Sequence, residues 1–262
     1  MAGSAPLVFV TGASSGIGQA LARRFHDAGW RLALAARRTG EIEAWATARG
    51  IATGGDACGV YGADVADIDA IVAAGAACIA RQGLPDVVIA NAGISIGIDT
   101  AERGDVDVFA RVMAVNDTGL VATFHPFVAA MAARGSGRLV GIASVAGIRG
   151  LPGHGAYCAS KAAAIAYCES LRGELRGSGV RVVTISPGYI DTPLTRGNRY
   201  AMPFLMTPEA FAERAFRAIE AGASHRVIPW QMGIVARLMR VLPDALFDRL
   251  AQDRGRKRRL GE

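Results

Sequence analysis

The run Leu7-Val8-Phe9-Val10 passes directly into Thr11-Gly12-Ala13-Ser14-Ser15-Gly16-Ile17-Gly18. An apolar run this short, closed by glycines, reads as a buried strand and not as a membrane span. Helical spacing resumes at Ile17 and predicts a helix over 17–28, ended by Gly29. Gly12 permits a tight turn between the two, and Gly16 and Gly18 let backbone and helix approach closely. A strand joined this tightly to a helix has to be covered by it, which commits the chain to a layered α/β fold.

The alternation continues to the far end of the sequence. Further strands are expected at 31–36, 60–62, 86–90, 137–144, 180–186 and 226–228. Helices are expected at 41–49, 67–81, along 105–133, at 157–176 and at 208–221. Strands alternating with helices at this spacing imply a doubly wound parallel sheet with helices on both faces. Crossovers should be right-handed, and ligands should bind at the C-terminal ends of the strands. The 262 residues fit one domain, 1–262, with 230–262 as a variable extension. A mean hydropathy of +0.27 suits a large core of buried strands.

Several classes are disfavoured. The apolar run at 7–10 is too short for a secretion signal, and no stretch reaches spanning length. Cys58, Cys78, Cys158 and Cys168 lack metal or redox spacing, so reduced thiols and a cytoplasmic location are expected. The net charge of +6 is concentrated in Arg254, Arg256, Lys257, Arg258 and Arg259. These are expected to form a solvated tail, with no nucleic-acid partner and at most weak contact with a membrane surface.

The glycine loop opens a helix, whose N-terminus offers free N–H groups and a positive dipole to a diphosphate. Its spacing is Gly-x-x-x-Gly-x-Gly, and Gly12, Ser14, Ser15, Gly16, Ile17 and Gly18 are its expected cofactor contacts. Arg37 and Arg38 follow the second strand, where an acid would hold the ribose 2′-OH of NAD. Arginine there suits the 2′-phosphate of NADP through planar, charge-assisted hydrogen bonds, so NADP is favoured over NAD.

Tyr157 and Lys161 stand four residues apart, on one face of a predicted helix. Over a nicotinamide ring such a pair is a proton donor for carbonyl reduction. A free tyrosine has a pKa of about 10, poorly matched to neutral pH, and a nearby ammonium is expected to lower it.

Together these residues resemble the short-chain dehydrogenase/reductase family, with its Rossmann-like fold, over about residues 5–192. Thr11–Gly18 is similar to the family's cofactor loop. Asp64 and Val65 resemble the pair that contacts adenine. Asn91-Ala92-Gly93 resembles the segment that supports sheet and cofactor, with Ala90 where a second asparagine is usual. The resemblance implies that Ser144, Tyr157 and Lys161 are catalytic, that Lys161 also bonds the nicotinamide ribose, and that Asn116 anchors a proton-relay water. It implies a cofactor turn at Pro187, Gly188, Ile190 and Thr192, and a homodimer or homotetramer. Ser144 would polarise the substrate oxygen as charge develops there.

The expected substrate is a small-molecule carbonyl compound or alcohol, preferably a medium or large apolar carbonyl compound. A 3-oxoacyl thioester reductase is the enzymatic alternative, and a dinucleotide-sensing or membrane-peripheral interaction protein the non-catalytic one. Residues 193–206 are read either as a substrate lid or as local packing, with Arg196 and Arg199 available to an anion. His154 is expected to be a solvated loop residue, and Cys158 to pack. Beyond 226 the resemblance weakens. Ile234, Val235, Leu238, Met239 and Leu242, then Leu246, Phe247 and Leu250 after Pro243, predict an amphipathic basic helix pair. It would cover the pocket or a dimer face, or rest on a membrane surface.

Overall fold

Strand β1 (Leu7–Thr11) is buried along its whole length, Leu7 and Phe9 in one core cluster and Val8 and Val10 in the other. Alternation across a pleat sends neighbours to opposite faces, and only a sheet covered on both sides can bury all of them. The structure, a computed structural model, describes residues 5–198, 200–252, 256–259 and 261.

The other strands are β2 (Arg31–Ala36), β3 (Cys58–Gly62), β4 (Val87–Ala90), β5 (Gly137–Ile142), β6 (Val180–Pro187) and β7 (His225–Ile228). They form one parallel sheet in the order β3-β2-β1-β4-β5-β6-β7. The order reverses between β1 and β4, which opens a crevice at the strands' C-terminal ends.

The helices are α1 (Gly16–Asp27), α2 (Thr39–Thr47), α3 (Ile68–Gln82), α4 (Arg103–Met113), α5 (Gly119–Arg134), α6 (Gly155–Glu174), α7 (Pro208–Glu220), α8 (Trp230–Val241) and α9 (Asp244–Ala251). Leu21 and Phe25 of α1, Ile42 of α2 and Phe211 and Ile219 of α7 bury one face of the sheet. Ile71 of α3, Phe124 and Phe127 of α5 and Cys168 and Leu171 of α6 bury the other. All four cysteines are free and buried. Among the described residues no helix is long and apolar enough to cross a membrane.

The helical stretch expected at 105–133 is two helices joined by a π-helical turn, Ala114–Thr118. Such a turn admits one extra residue and re-aims the side chains on it. It contains Asn116.

The C-terminal helix pair is present and breaks at Leu242-Pro243. Met232, Ala236, Phe247 and Ala251 are its buried face. Trp230, Ile234, Leu238 and Val241 remain exposed along the outside of α8. Arg149 pins the pair to the body. It donates to the carbonyls of Met239 and Leu242, pairs with Asp244 at 2.8 Å and lies 4.0 Å over the Phe247 ring centroid.

The basic tail does not float in solvent. Lys257 Nζ donates to the Leu194 carbonyl at 2.8 Å and to Asn198 Oδ1 at 2.7 Å. Gly97 N–H donates to the Arg258 carbonyl at 2.7 Å, and Arg259 pairs with Asp105 at 2.7 Å. Arg256 lies 3.9 Å from Asp99. The expected solvated tail is therefore a strap, because residues 97–105 carry the carboxylates and bare backbone that basic side chains and carbonyls need. Arg254 lies outside the described residues.

Candidate active site

Asn91 and Thr11 set the floor of the crevice. Thr11 Oγ1 accepts from the N–H groups of Asn91 and Ala92 at 3.1 and 3.2 Å. Asn91 Nδ2 returns a bond to the Thr11 carbonyl at 2.9 Å. These bonds tie the end of β1 to the end of β4, the two strands that flank the switch point. Thr11 was not among the expected site residues. Only a tertiary partner gives its hydroxyl a use.

Gly12 and Gly16 both adopt left-handed backbone, with φ of +66° and +55°, as the turn before α1 requires. Gly18 does not line the crevice. It faces Gly12, and a Cβ there would overlap the Gly12 carbonyl and come within 2.6 Å of Asn91 Nδ2. Ser15 caps α1 with no side-chain bond, and the first turn holds no acid. The N–H groups of that turn are thus open to an anionic ligand.

One crevice of about 440 Å³ gathers the other expected cofactor residues: Gly12, Ser14, Ser15, Gly16, Ile17, Arg37, Arg38, Asp64, Val65, Asn91, Ala92, Gly93, Tyr157, Lys161, Pro187, Gly188, Ile190 and Thr192. Arg37 lies 3.5 Å from Asp64, and an Arg38 nitrogen lies 3.5 Å from Ser14 Oγ. The loop after β6 is stapled at both ends. Gly188 N–H donates to Ile228 and Asp191 N–H to Met206, at 2.8 and 2.9 Å. Thr195 Oγ1 holds the turn by donating to the Ile190 carbonyl and accepting from Thr192 N–H. Its position beyond the resembling segment left it out of the expectations.

Ser144, Tyr157 and Lys161 meet at the inner end. Ser144 leaves β5 and shares a hydrogen bond with Tyr157. Burial pushes the Tyr157 phenol above its ordinary value, the Ser144 bond opposes this, and the Cys158 thiol adds to it. Burial pulls Lys161 down to about 8, against the weaker pull of Cys168 and Asp117. The expected lowering of Tyr157 by Lys161 is not what this geometry gives. Lys161 Nζ donates to the Ile142 carbonyl at 2.8 Å and lies 5.9 Å from the Tyr157 ring centroid. The end of β5 takes one of the three ammonium N–H groups.

Asn116 stands behind the site, wholly buried. Its Oδ1 accepts from Ile94 N–H at 2.8 Å, while Nδ2 donates to the Ile94 carbonyl at 2.9 Å and to Ser160 Oγ at 3.0 Å. Ser160 Oγ then donates to the Tyr157 carbonyl at 2.9 Å. Ser160 therefore links the π-turn to the helix that carries Tyr157. No motif in the sequence marks it.

A second cavity of about 520 Å³ shares Ser144, Tyr157, Gly188, Leu194 and Thr195 with the first. Its other walls include Asn198, Tyr200, Ala201 and Pro203, Met232, Val235 and Met239 of α8, and His154 and Lys257. Leu194, Thr195, Asn198, Tyr200, Ala201 and Pro203 and the first C-terminal helix, α8, therefore line a pocket. His154 is a correction. It is buried, and its ring meets Tyr200 edge-on at 5.5 Å, because the turn before α6 packs against Tyr200. Cys158 is buried, as expected of a packing residue. Arg196 is paired with Asp191 at 2.9 Å and does not reach the cavity. Arg199 lies outside the described residues.

Comparison with known proteins agrees with this geometry. The short chain dehydrogenase family matches residues 6–202. An uncharacterized oxidoreductase of Myxococcus xanthus is 39% identical over 247 residues, 93% of this chain and 95% of that protein. A 3-ketoacyl-(acyl-carrier-protein) reductase from Brucella melitensis, solved with NADH, superposes with a TM-score of 0.75 at 26% identity, covering 85% of this chain and 96% of that one. An alcohol dehydrogenase from Thermococcus sibiricus, solved with 5-hydroxy-NADP, gives 0.73 at 26% identity, covering 86% and 96%.

Proposed function

This chain belongs to the short-chain dehydrogenase family of NAD(P)-dependent oxidoreductases, and from that premise we propose that it uses NADPH to reduce a carbonyl compound, or NADP to oxidise the alcohol. The observation that carries this reading is the meeting of two cavities on one pair of hydroxyls, Ser144 and Tyr157. A cofactor in one and a substrate in the other would meet along this shared wall, which also holds Gly188, Leu194 and Thr195.

The cofactor crevice fits a dinucleotide by its donors. The uncapped start of α1 suits the diphosphate, and Arg37 and Arg38 at the far rim suit a 2′-phosphate. Asp64 and Val65 would flank the adenine, and Ile190 and Thr192 would hold the carboxamide. When bound, the nicotinamide supplies or accepts a hydride.

The chain's own residues would do the rest. Tyr157 gives its proton to the carbonyl oxygen in reduction and takes it back in oxidation. Ser144 donates to the same oxygen as negative charge gathers on it. Lys161 holds the ribose and, with Asn116 behind it, supplies the proton that Tyr157 spends. The walls from Met232, Val235, Met239 and Leu151 favour an apolar substrate body. Family members act on small molecules and commonly oligomerise, and a homodimer or homotetramer is proposed here. The buried free thiols support a cytoplasmic location.

The test is NADPH and NADH binding by fluorescence, then turnover against ketones, aldehydes, quinones and 3-oxoacyl thioesters. NADPH binding with turnover that Tyr157→Phe abolishes is the expected result. Binding of neither cofactor would overturn the reading.

A further inference from the structure

Among the described residues two cations line the substrate cavity, Arg149 and Lys257, and no acid does. Arg149 is neutralised, since Asp244 lies 2.8 Å from it, and two backbone carbonyls take both N–H groups of its other terminal nitrogen. Lys257 is different. Its acceptors are the Leu194 carbonyl and the Asn198 amide oxygen, both uncharged, and among the described residues no carboxylate lies within ion-pair distance of it.

Lys257 is half-buried, and a partly desolvated cation with only neutral acceptors has lost hydration that no charge partner replaces. Burial already pulls the Lys257 ammonium below its ordinary value. Two of its three N–H groups are taken, which leaves one for a further acceptor. Nor is its place accidental. The strap that carries it is fixed on both sides, by Arg256 near Asp99, by Gly97 N–H to the Arg258 carbonyl, and by Arg259 on the buried Asp105. Gly97 has no side chain to obstruct this, and a Cβ there would run into the Lys257 carbonyl.

We infer that Lys257 is a specificity residue, reaching into the substrate cavity from the C-terminal strap, and that the substrate is a carbonyl compound with an anionic group remote from the carbonyl. The inference rests on the reading of Ser144 and Tyr157 as the reacting end. The apolar walls between would take a hydrocarbon or aromatic spacer, and Lys257 would take a carboxylate or a phosphate. The walls set the length of that spacer.

The test uses oxo-carboxylates whose ketone and carboxylate are separated by a growing number of methylenes, each paired with its methyl ester. Acid and ester share the carbonyl and the spacer, so their ratio isolates the charge. In wild-type protein with NADPH, the acid of the favoured length should exceed its ester in kcat/KM by about tenfold or more, the worth of one charge-assisted hydrogen bond. Lys257→Met should collapse that ratio by raising KM for the acid, and Lys257→Arg should retain it. A purely structural role for Lys257 would affect acid and ester alike. Equal use of acid and ester by wild type, or a preference that survives Lys257→Met, would overturn the inference. If no ketone is turned over, the Tyr157 reading fails by itself, and calorimetry still decides this one. Acid-selective binding that Lys257→Met removes upholds it, while indifferent binding sinks it.

Discussion

Lys161 Nζ sits 2.8 Å from the carbonyl of Ile142, the last residue of β5, and not against the Tyr157 hydroxyl. The end of one strand thus fixes a buried cation whose pKa falls to about 8, while the phenol beside it is pushed up. The two titrations separate, and Lys161 is the first to change as pH rises. The free-enzyme kcat/KM for reduction should therefore decline above pH about 8 with the charge on Lys161, before the phenol ionises. Lys161→Arg keeps its charge at every accessible pH, and its profile should lack that inflection. A wild-type profile flat through pH 9 would mean that the charge on Lys161 does not govern the step.

The same burial has a stability counterpart. The folded pKa of Lys161 lies below its unfolded value, so below about 8 the folded state carries a desolvated ammonium at a cost. Between about 8 and the unfolded pKa of about 10.4 the unfolded chain binds more protons, and this group's contribution shifts towards the folded state as pH rises. Denaturant titrations of wild type and Lys161→Met across that window should show the wild type gaining on the variant. A constant difference would place Lys161 in a wetter setting.

Tyr157 and Ser144 should separate cleanly in mutant kinetics. Tyr157→Phe removes the proton donor and should lower kcat by about 10²–10⁴-fold, with NADPH affinity nearly kept. Ser144→Ala removes one donor to the developing charge and should cost about 10²-fold or more. Single-turnover measurements with NADPH in excess would read both. A Tyr157→Phe enzyme that still turns over would assign the acid to another group.

Arg37 and Arg38 occupy the same rim but have different neighbours, Asp64 and Ser14. Each charge-assisted contact to a 2′-phosphate is worth about 10–100-fold in affinity. Arg37→Asp should shift the NADPH-to-NADH affinity ratio towards NADH by that order. A ratio that moves only with Arg38→Asp would make Asp64 the true partner of Arg37.

Much of this molecule could be read along the chain. The unbroken apolar run of β1, the glycine turn after it and the Tyr157–Lys161 spacing are local signals, and the sheet and the cofactor crevice follow from them. What escaped was tertiary. Thr11, Thr195 and Ser160 are ordinary hydroxyls until a distant backbone group meets them. The π-turn at Asn116 has no distinct periodicity. His154 and the basic tail looked like solvated polar residues because sequence does not show that Tyr200 meets the one and residues 97–105 the other.

Gly97 offers a test of the strap that leaves every strap residue in place. Its N–H donates 2.7 Å to the Arg258 carbonyl, and a methyl group on it would strike the Lys257 carbonyl and stand 2.8 Å from that of Arg258. Backbone atoms yield less readily than the end of a side chain, so Gly97→Ala should lift the strap. The contact lies outside the two sheet-facing core clusters, so the melting temperature should move little. Trypsin, which cleaves after Arg256, Lys257, Arg258 and Arg259, should then clip the tail markedly faster than in wild type, since cleavage follows the population of the open form. Asp105→Asn should act in the same direction from the other end of the strap, because Arg259 donates to that carboxylate and holds it below the usual carboxylate range. Equal clipping of all three proteins would mean that the tail is not held against residues 97–105, and the cavity would then lack Lys257 as a fixed wall.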